Sequence, residues 1–92
     1  MAVFIDRPVW PGRGRLWSHL VSDVSYDELH DFAAQLGAPR RGFERDHYDV
    51  PAELFDTAVR LGAQVVPSRR IVELLTRSGL RRRKRPAPPA HG

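Results

Sequence analysis

The chain has 92 residues and a formal net charge of +4, a length that suits one compact domain and is too short for two. It contains no cysteine, which excludes disulfides, thiolate metal sites, iron–sulfur clusters and a cysteine nucleophile. Any metal must therefore be held by histidine, aspartate or glutamate. No apolar run approaches the roughly 18 residues that a membrane span needs, and no signal-peptide pattern opens the chain, so we expect a cytoplasmic protein.

The positive charge is concentrated near the C-terminus, in five consecutive basic residues: Arg81, Arg82, Arg83, Lys84 and Arg85. Residues 1–80 carry a net charge of −1, so the basic character belongs to the end of the chain. Proline and alanine dominate the remainder, and no large apolar side chain is available to offset the entropy of ordering. We therefore expect a single folded domain over 1–80 and a disordered basic tail over 81–92 that contacts polyanions such as nucleic acid.

The clearest predicted helix covers residues 26–36. Ser25 and Glu28 have the spacing of a capping box, apolar residues follow at helical intervals, and Gly37 supplies a C-terminal stop. A second helix is expected after Pro51, because proline is favoured in a first helical turn.

A third predicted helix begins with Ser68 as its N-cap and ends at Gly79. Four strands are predicted from short β-branched and aromatic runs at 3–5, 16–21, 43–48 and 64–66. Proline and glycine make the segment 7–15 a loop. The order β-β-α-β-α-β-α predicts an α/β sandwich of about four short, mostly parallel strands and three helices.

In a parallel sheet, the carboxyl ends of the strands meet at one edge, where ligands bind. The residues predicted at those ends are Asp6, Ser22, Asp23, Tyr48, Asp49, Ser68, Arg69 and Arg70. Carboxylates suit Mg²⁺ or Mn²⁺, and arginine suits phosphate oxygens. The alternative is that Asp23 and Asp49 cap backbone N–H groups at the helix starts that follow them.

Two histidines are candidates for acid–base chemistry or metal binding. His47 precedes Asp49 by two residues, and His19 lies on the neighbouring strand candidate, so the two imidazoles can form a pair. The alternative is that both are hydrogen-bonded structural residues. Arg40 and Arg41 are either a phosphate clamp or a solvent-facing pair.

The loop 10–15 combines tryptophan, arginine and glycine. In single-strand nucleic-acid binding, bases stack on aromatic rings while arginine contacts the backbone. The loop is therefore either a nucleic-acid contact or an ordinary flexible connection.

Five segments taken together resemble a family of small bacterial and phage proteins known as domain of unknown function 4031: residues 3–6, 17–23, 27–33, 47–50 and 58–63. The resemblance covers about residues 2–66, and the order of the segments is more specific than any one of them. It implies a shared fold and a shared polar site that includes Asp6, His19, His47, Tyr48 and Asp49. It implies no particular activity.

These patterns favour a domain that recognises phosphate, a nucleotide or nucleic acid, as a metal-dependent phosphodiesterase or nuclease using Mg²⁺ or Mn²⁺. The predicted catalytic residues are His19, His47 and Asp49. The predicted metal ligands are Asp6 and Asp49. The predicted substrate-binding residues are Tyr48, Arg40, Arg41, Arg69 and Arg70. The alternatives are a non-catalytic nucleic-acid-binding accessory module that relies on the basic tail, and a small protein-interaction domain.

Overall fold

The computed structural model describes residues 2–82. Its strands are β1 (Val3–Ile5), β2 (Trp10–Gly12), β3 (Arg15–Ser22), β4 (Phe43–Glu44), β5 (His47–Pro51) and β6 (Gln64–Val65). Its helices are α1 (Tyr26–Leu36), α2 (Phe55–Arg60) and α3 (Ser68–Ser78), with single 3₁₀ turns at Arg40–Gly42 and Ala52–Leu54.

Helix α1 has the predicted limits. The Ser25 side chain accepts a hydrogen bond from the backbone N–H of Glu28 at 3.0 Å, and Gly37 ends the helix with a φ of 86°. A capping box would pair the Glu28 carboxylate with the backbone N–H of Ser25. The carboxylate instead accepts from the Ser22 hydroxyl at 2.6 Å. That contact ties the start of α1 to the end of β3.

The other two helices differ from the prediction at their starts. After Pro51 the chain makes the 3₁₀ turn first, and α2 begins only at Phe55. The N-cap of α3 is Pro67, not Ser68. Ser68 is instead the first helical residue, and its hydroxyl donates to the Asp6 carboxylate at 2.7 Å.

The sheet is mixed, so the prediction of about four mostly parallel strands is wrong. Its order is β4-β5-β3-β1-β6, with β2 also paired to β3, and only the β1–β6 pair is parallel. Two hairpins cause the difference. The turn of one falls within the predicted loop 7–15, and the turn of the other falls within the strand predicted at 43–48.

The first hairpin lies within the predicted loop 7–15. β2 and β3 pair through Gly12 and Arg15, which leaves Arg13 and Gly14 as a two-residue turn. Their φ angles are 50° and 74°, and positive φ at both positions is what a type I′ hairpin turn requires.

The second hairpin divides the strand predicted at 43–48. β4 and β5 pair through Glu44 and His47, so Arg45 and Asp46 form the turn, and Arg45 has a φ of 57°. The extra reversal makes β5 antiparallel to β3. Without it, the chain leaving α1 would return parallel to β3.

Helices cover both faces of the sheet. On one face, Ile5, Leu20 and Val50 pack in a core with residues of α1 and α2. On the other face, Phe4 and Val21 pack against α3. Side chains alternate between faces along a strand, so His19 on β3, and His47 and Asp49 on β5, project from the same face of the sheet as Val21.

Helix α3 ends with a φ of 80° at Gly79, and the N–H groups of Leu80 and Arg81 both donate to the carbonyl of Leu75 at 3.0 Å. Leu80 packs against the α3 core. Arg81 and Arg82 then contact the folded part of the chain. The rest of the predicted tail, including Arg83, Lys84 and Arg85, lies outside the described residues, and its disorder stays a prediction.

None of the three helices found between residues 2 and 82 has the length and apolar character that crossing a bilayer requires.

Candidate functional site

His19 and Asp49 face each other across β3 and β5. The register pairs them directly, and directly opposed residues of an antiparallel pair project from the same face. His47 lies two residues before Asp49 and shares that face. One ligand atom from each of the three side chains lies within 4.8 Å of the others. We call these residues the triad.

A buried carboxylate orients His19. The Asp6 side chain, which is 1% exposed, meets Nδ1 of His19 at 2.8 Å and accepts the backbone N–H of His19 at 2.6 Å. It also accepts from the Trp10 indole N–H at 3.1 Å and from Ser68. Burial opposes ionisation, but the hydrogen bonds from His19 and Ser68 outweigh it and lower the pKa of Asp6.

The ionised Asp6 can only accept hydrogen bonds, so Nδ1 of His19 carries the proton. Nε2 of His19 is then the basic nitrogen. A carboxylate that fixes the tautomer of a histidine in this way is common behind metal-binding imidazoles.

His47 is held between two carboxylates. Its Nδ1 lies 2.9 Å from Oδ1 of Asp46, and its Nε2 lies 3.2 Å from Oδ1 of Asp49. Asp46 is 1% exposed. Burial disfavours the charged imidazole, but the hydrogen bonds to Asp49 and Asp46 outweigh this and raise the pKa of His47.

The contact between His47 and Asp49 also favours the ionised form of Asp49. Its hydrogen bond with His47 is the largest influence on the carboxyl, and it lowers the pKa of Asp49 despite partial burial. The positive charge of Arg13, on the β2–β3 turn, acts in the same direction. The arrangement therefore places a proton between His47 and Asp49 that a bound cation would replace.

The triad has the donor set of a transition-metal site. Two imidazole nitrogens and one carboxylate suit Zn²⁺, Fe²⁺ or Mn²⁺. A metal about 2.1 Å from each ligand needs ligand atoms about 3.0–3.4 Å apart, and the His47–Asp49 pair has that separation. Three protein ligands leave coordination positions for water and substrate.

Two depressions adjoin the triad. The α3 cavity, about 340 Å³, is lined by side chains that include Trp10, His19, His47, Arg69, Val72 and Arg81. The hairpin cavity, about 880 Å³, is lined by side chains that include Trp10, Arg13, Trp17, His19, Arg41 and Asp49. Because Trp10 and His19 line both, the triad lies where the two depressions meet.

The structure separates some of the predicted site residues from the triad. Tyr48 is 1% exposed and lies on the opposite face of the sheet, where its hydroxyl pairs with Nδ1 of His30 at 2.7 Å. Arg40 also belongs to that side, because its charge acts on the pKa values of His30 and Tyr48. Arg70 lies 3.7 Å from Glu73 in a surface ion pair.

Other predicted residues line the same cavities as the triad. Arg69 lines the α3 cavity, and Arg41 lines the hairpin cavity. Asp6 was predicted as a metal ligand, but its oxygens are turned to four donors behind His19. It is therefore placed to orient a ligand.

Asp46 is not among the predicted site residues. Strand alternation, extended through 43–48, places Asp46 and His47 on opposite faces, whereas the tight turn brings Asp46 back to Nδ1 of His47. The signal that could have found it is a carboxylate adjacent to a histidine at a two-residue hairpin turn. The sequence predicts Ser68 as an N-cap and places Trp10 in the loop 10–15. Their contacts with Asp6 are visible only in the folded structure.

Comparisons with curated proteins and with solved structures gave no match for this chain. The sequence does match one family over residues 3–78, which include all three triad residues together with Asp6, Asp46 and Ser68. The match spans both hairpins and all three helices. The chain therefore belongs to the family described as "Protein of unknown function (DUF4031)".

Proposed function

We propose that the protein is a cytoplasmic, metal-dependent phosphodiesterase or nuclease whose divalent cation is held by His19, His47 and Asp49. The observation that carries the proposal is the convergence of these three ligand atoms within 4.8 Å, in the part of the chain that the structure describes. Each histidine is additionally backed by a buried aspartate.

The donor set refines the choice of metal. Imidazole suits Zn²⁺, Mn²⁺ and Fe²⁺, whereas Mg²⁺ prefers oxygen ligands and keeps several waters. We therefore expect Zn²⁺ or Mn²⁺ to bind more tightly than Mg²⁺.

The proposed reaction is hydrolysis of a phosphate ester. A divalent cation lowers the pKa of bound water, which makes hydroxide available near neutral pH, and it polarises a phosphoryl oxygen. The hydroxide oxygen forms a bond to phosphorus, the bond from phosphorus to the leaving oxygen breaks, and that oxygen takes up a proton. One water is consumed, and no oxidant or other co-reactant is needed.

Cationic side chains in the two cavities support an anionic substrate. Arg13 and Arg41 line the hairpin cavity, and Arg69 and Arg81 line the α3 cavity. Guanidinium groups pair well with phosphate oxygens because of their planar donor geometry.

The test is hydrolysis of bis(4-nitrophenyl) phosphate by metal-free protein to which Zn²⁺, Mn²⁺ or Mg²⁺ is added. His47→Gln should lose activity by at least a hundredfold. His30→Gln is the matched control, because His30 lies on the opposite face of the sheet, and it should retain activity. Circular dichroism of both variants checks that the fold is intact.

Absence of metal-dependent hydrolysis in the wild-type protein, or equal activity of the two variants, would contradict the proposal. Nucleic-acid binding without hydrolysis would instead support the non-catalytic accessory module. Failure of metal and of phosphate compounds alike to change the melting temperature would support the protein-interaction domain.

A further inference from the structure

We infer that the substrate is a single-stranded nucleic acid that crosses the triad. The nucleotides on one side of the scissile phosphate would lie in the α3 cavity, and those on the other side would lie in the hairpin cavity. This inference rests on the proposed function and adds the substrate class and its path. A mononucleotide would need only one of the two depressions.

The first support is the shape of the surface. The two depressions, about 340 and 880 Å³, meet at Trp10 and His19. A phosphate bound to the triad therefore has room on both sides for the chain to continue. A polymer uses both sides, so the geometry favours an internal position in a strand.

The second support is the distribution of charge along that path. Arg69 and Arg81 lie on the α3 side, and Arg13 and Arg41 lie on the hairpin side. Residues 1–80 carry a net charge of −1, so the three arginines of that part of the chain on one path, Arg13, Arg41 and Arg69, are a local concentration. Two further arginines line the cavities but already have acidic partners: Arg15 lies 3.3 Å from Glu53, and Arg81 lies 3.8 Å from Asp46.

The third support is an aromatic ring fixed where the depressions meet. Trp10 is 43% exposed, which is high for a tryptophan, and its indole N–H is directed to Asp6 and Ser68. The anchored nitrogen fixes the ring while the rest of the indole stays accessible. Bases of single strands stack on such rings, whereas bases of a duplex have their faces covered by neighbouring base pairs.

The experiment measures binding of fluorescently labelled hexathymidylate to the full chain by anisotropy. Excess chelator is present, so binding is read without hydrolysis. The test variant carries Arg13→Ala and Arg41→Ala. The matched control carries Arg60→Ala and Arg77→Ala, which are exposed arginines on α2 and α3. Both variants lose two charges, so any effect of net charge or of the basic tail is the same in each.

The test variant should bind at least tenfold more weakly than the control variant. Its dependence of log affinity on log salt should be shallower by about 1.4, the value for two phosphate contacts on a single strand. Trp10→Ala should also weaken binding, and Trp10→Phe, which keeps an aromatic ring but lacks the N–H that fixes it, should bind more weakly than wild type and more tightly than Trp10→Ala.

Three results would overturn the inference: equal affinities of the two double variants, binding of a duplex as tight as that of the single strand, and binding of thymidine monophosphate as tight as that of the hexamer. Failure of the proposed function is distinguishable from these. If the test variant binds the hexamer more weakly than the control variant but no metal-dependent hydrolysis occurs, only the hydrolase is contradicted. If the small ester is hydrolysed but the two double variants bind the hexamer equally, only this inference is contradicted.

Discussion

Arg82 donates its backbone N–H to Oδ2 of the buried Asp46 carboxylate at 2.8 Å. The other oxygen of Asp46 meets His47, and the Arg81 guanidinium lies 3.8 Å from Oδ2. The Arg82 guanidinium also lies over the Tyr26 ring, 4.5 Å from its centroid. The first two residues of the basic segment are therefore part of the structure that positions a triad histidine.

This contact predicts different results for two truncations. Ending the chain after Leu80 removes the hydrogen bond from Arg82 to Oδ2 of Asp46 and the nearby Arg81 charge. The free energy of unfolding should fall by about 1–3 kcal/mol because a buried acceptor loses its partner. Zinc affinity should fall as well, because Asp46 no longer holds His47. Urea denaturation and calorimetric zinc titration measure the two effects.

Ending the chain after Arg82 is the control. It removes Arg83, Lys84 and Arg85 but keeps every described contact of Asp46, so stability and zinc affinity should stay near those of the full chain. Equal behaviour of the two truncated proteins would show that the contacts of Arg81 and Arg82 do not support the site.

Zinc affinity should increase with pH across the neutral range. Hydrogen bonds to Asp49 and Asp46 raise the pKa of His47 above its ordinary value, so the proton that must leave before metal binds is held more firmly than on a free histidine. Affinity is therefore lowest below pH 6.5, where His47 is protonated, and it rises as the pH passes the raised pKa.

Calorimetric titrations at several pH values test this expectation, with the buffer chosen so that proton release can be counted. About one proton should be released per zinc bound below the raised pKa, and fewer above it. A zinc affinity that is constant between pH 6 and 9 would show that His47 does not supply a ligand.

Asp6→Asn should weaken metal binding without removing a ligand. The asparagine amide has one acceptor oxygen where Asp6 has two, and its NH₂ group would face donors. We expect a 10- to 100-fold loss of zinc affinity, the usual effect of removing an orienting partner, and a loss of about 2–3 kcal/mol in unfolding free energy. Ser68→Ala removes only one of the four donors and should lose about 1 kcal/mol. Equal losses for the two variants would show that the contact with His19 has no special importance.

Gly14→Ala tests the hairpin that turns β2 into β3. Gly14 has a φ of 74°, and no atom outside its immediate chain neighbours lies within 4 Å of the position of an added Cβ, so the effect should come from the backbone alone. Alanine in the left-handed region should lower the unfolding free energy by about 1–2 kcal/mol. Asparagine tolerates that region better, so Gly14→Asn should be milder. Thermal and urea denaturation should rank wild type, Asn and Ala in that order, and an alanine variant as stable as wild type would contradict the turn.

The predictable parts of the fold are those that depend on local signals. Ser25 and Gly37 define α1 because N-caps and left-handed glycine stops act within a few residues. The strand directions were not predictable in this way, because they depend on turns in which Arg13 and Arg45, both non-glycine residues, adopt positive φ. Such residues are uncommon in that region, so composition gives little warning.

The candidate site was predictable only in part. The residue types of His19, His47 and Asp49 suggested a shared site, and the structure brings them together. The expected cause, the carboxyl edge of a parallel sheet, is wrong. They meet because antiparallel pairing of β3 and β5 opposes His19 to Asp49, and pairing register is a long-range property that a single sequence does not display.

Calorimetric titration of Zn²⁺ into metal-free wild-type protein, Asp49→Ala and Asp56→Ala shows whether the triad binds a metal. Asp56 is an exposed aspartate in the first turn of α2 and serves as the control. We expect one saturable zinc site per chain in the wild type and in Asp56→Ala, and loss of that site in Asp49→Ala. No saturable zinc binding in the wild type, or an unchanged site in Asp49→Ala, would contradict a metal centre at His19, His47 and Asp49.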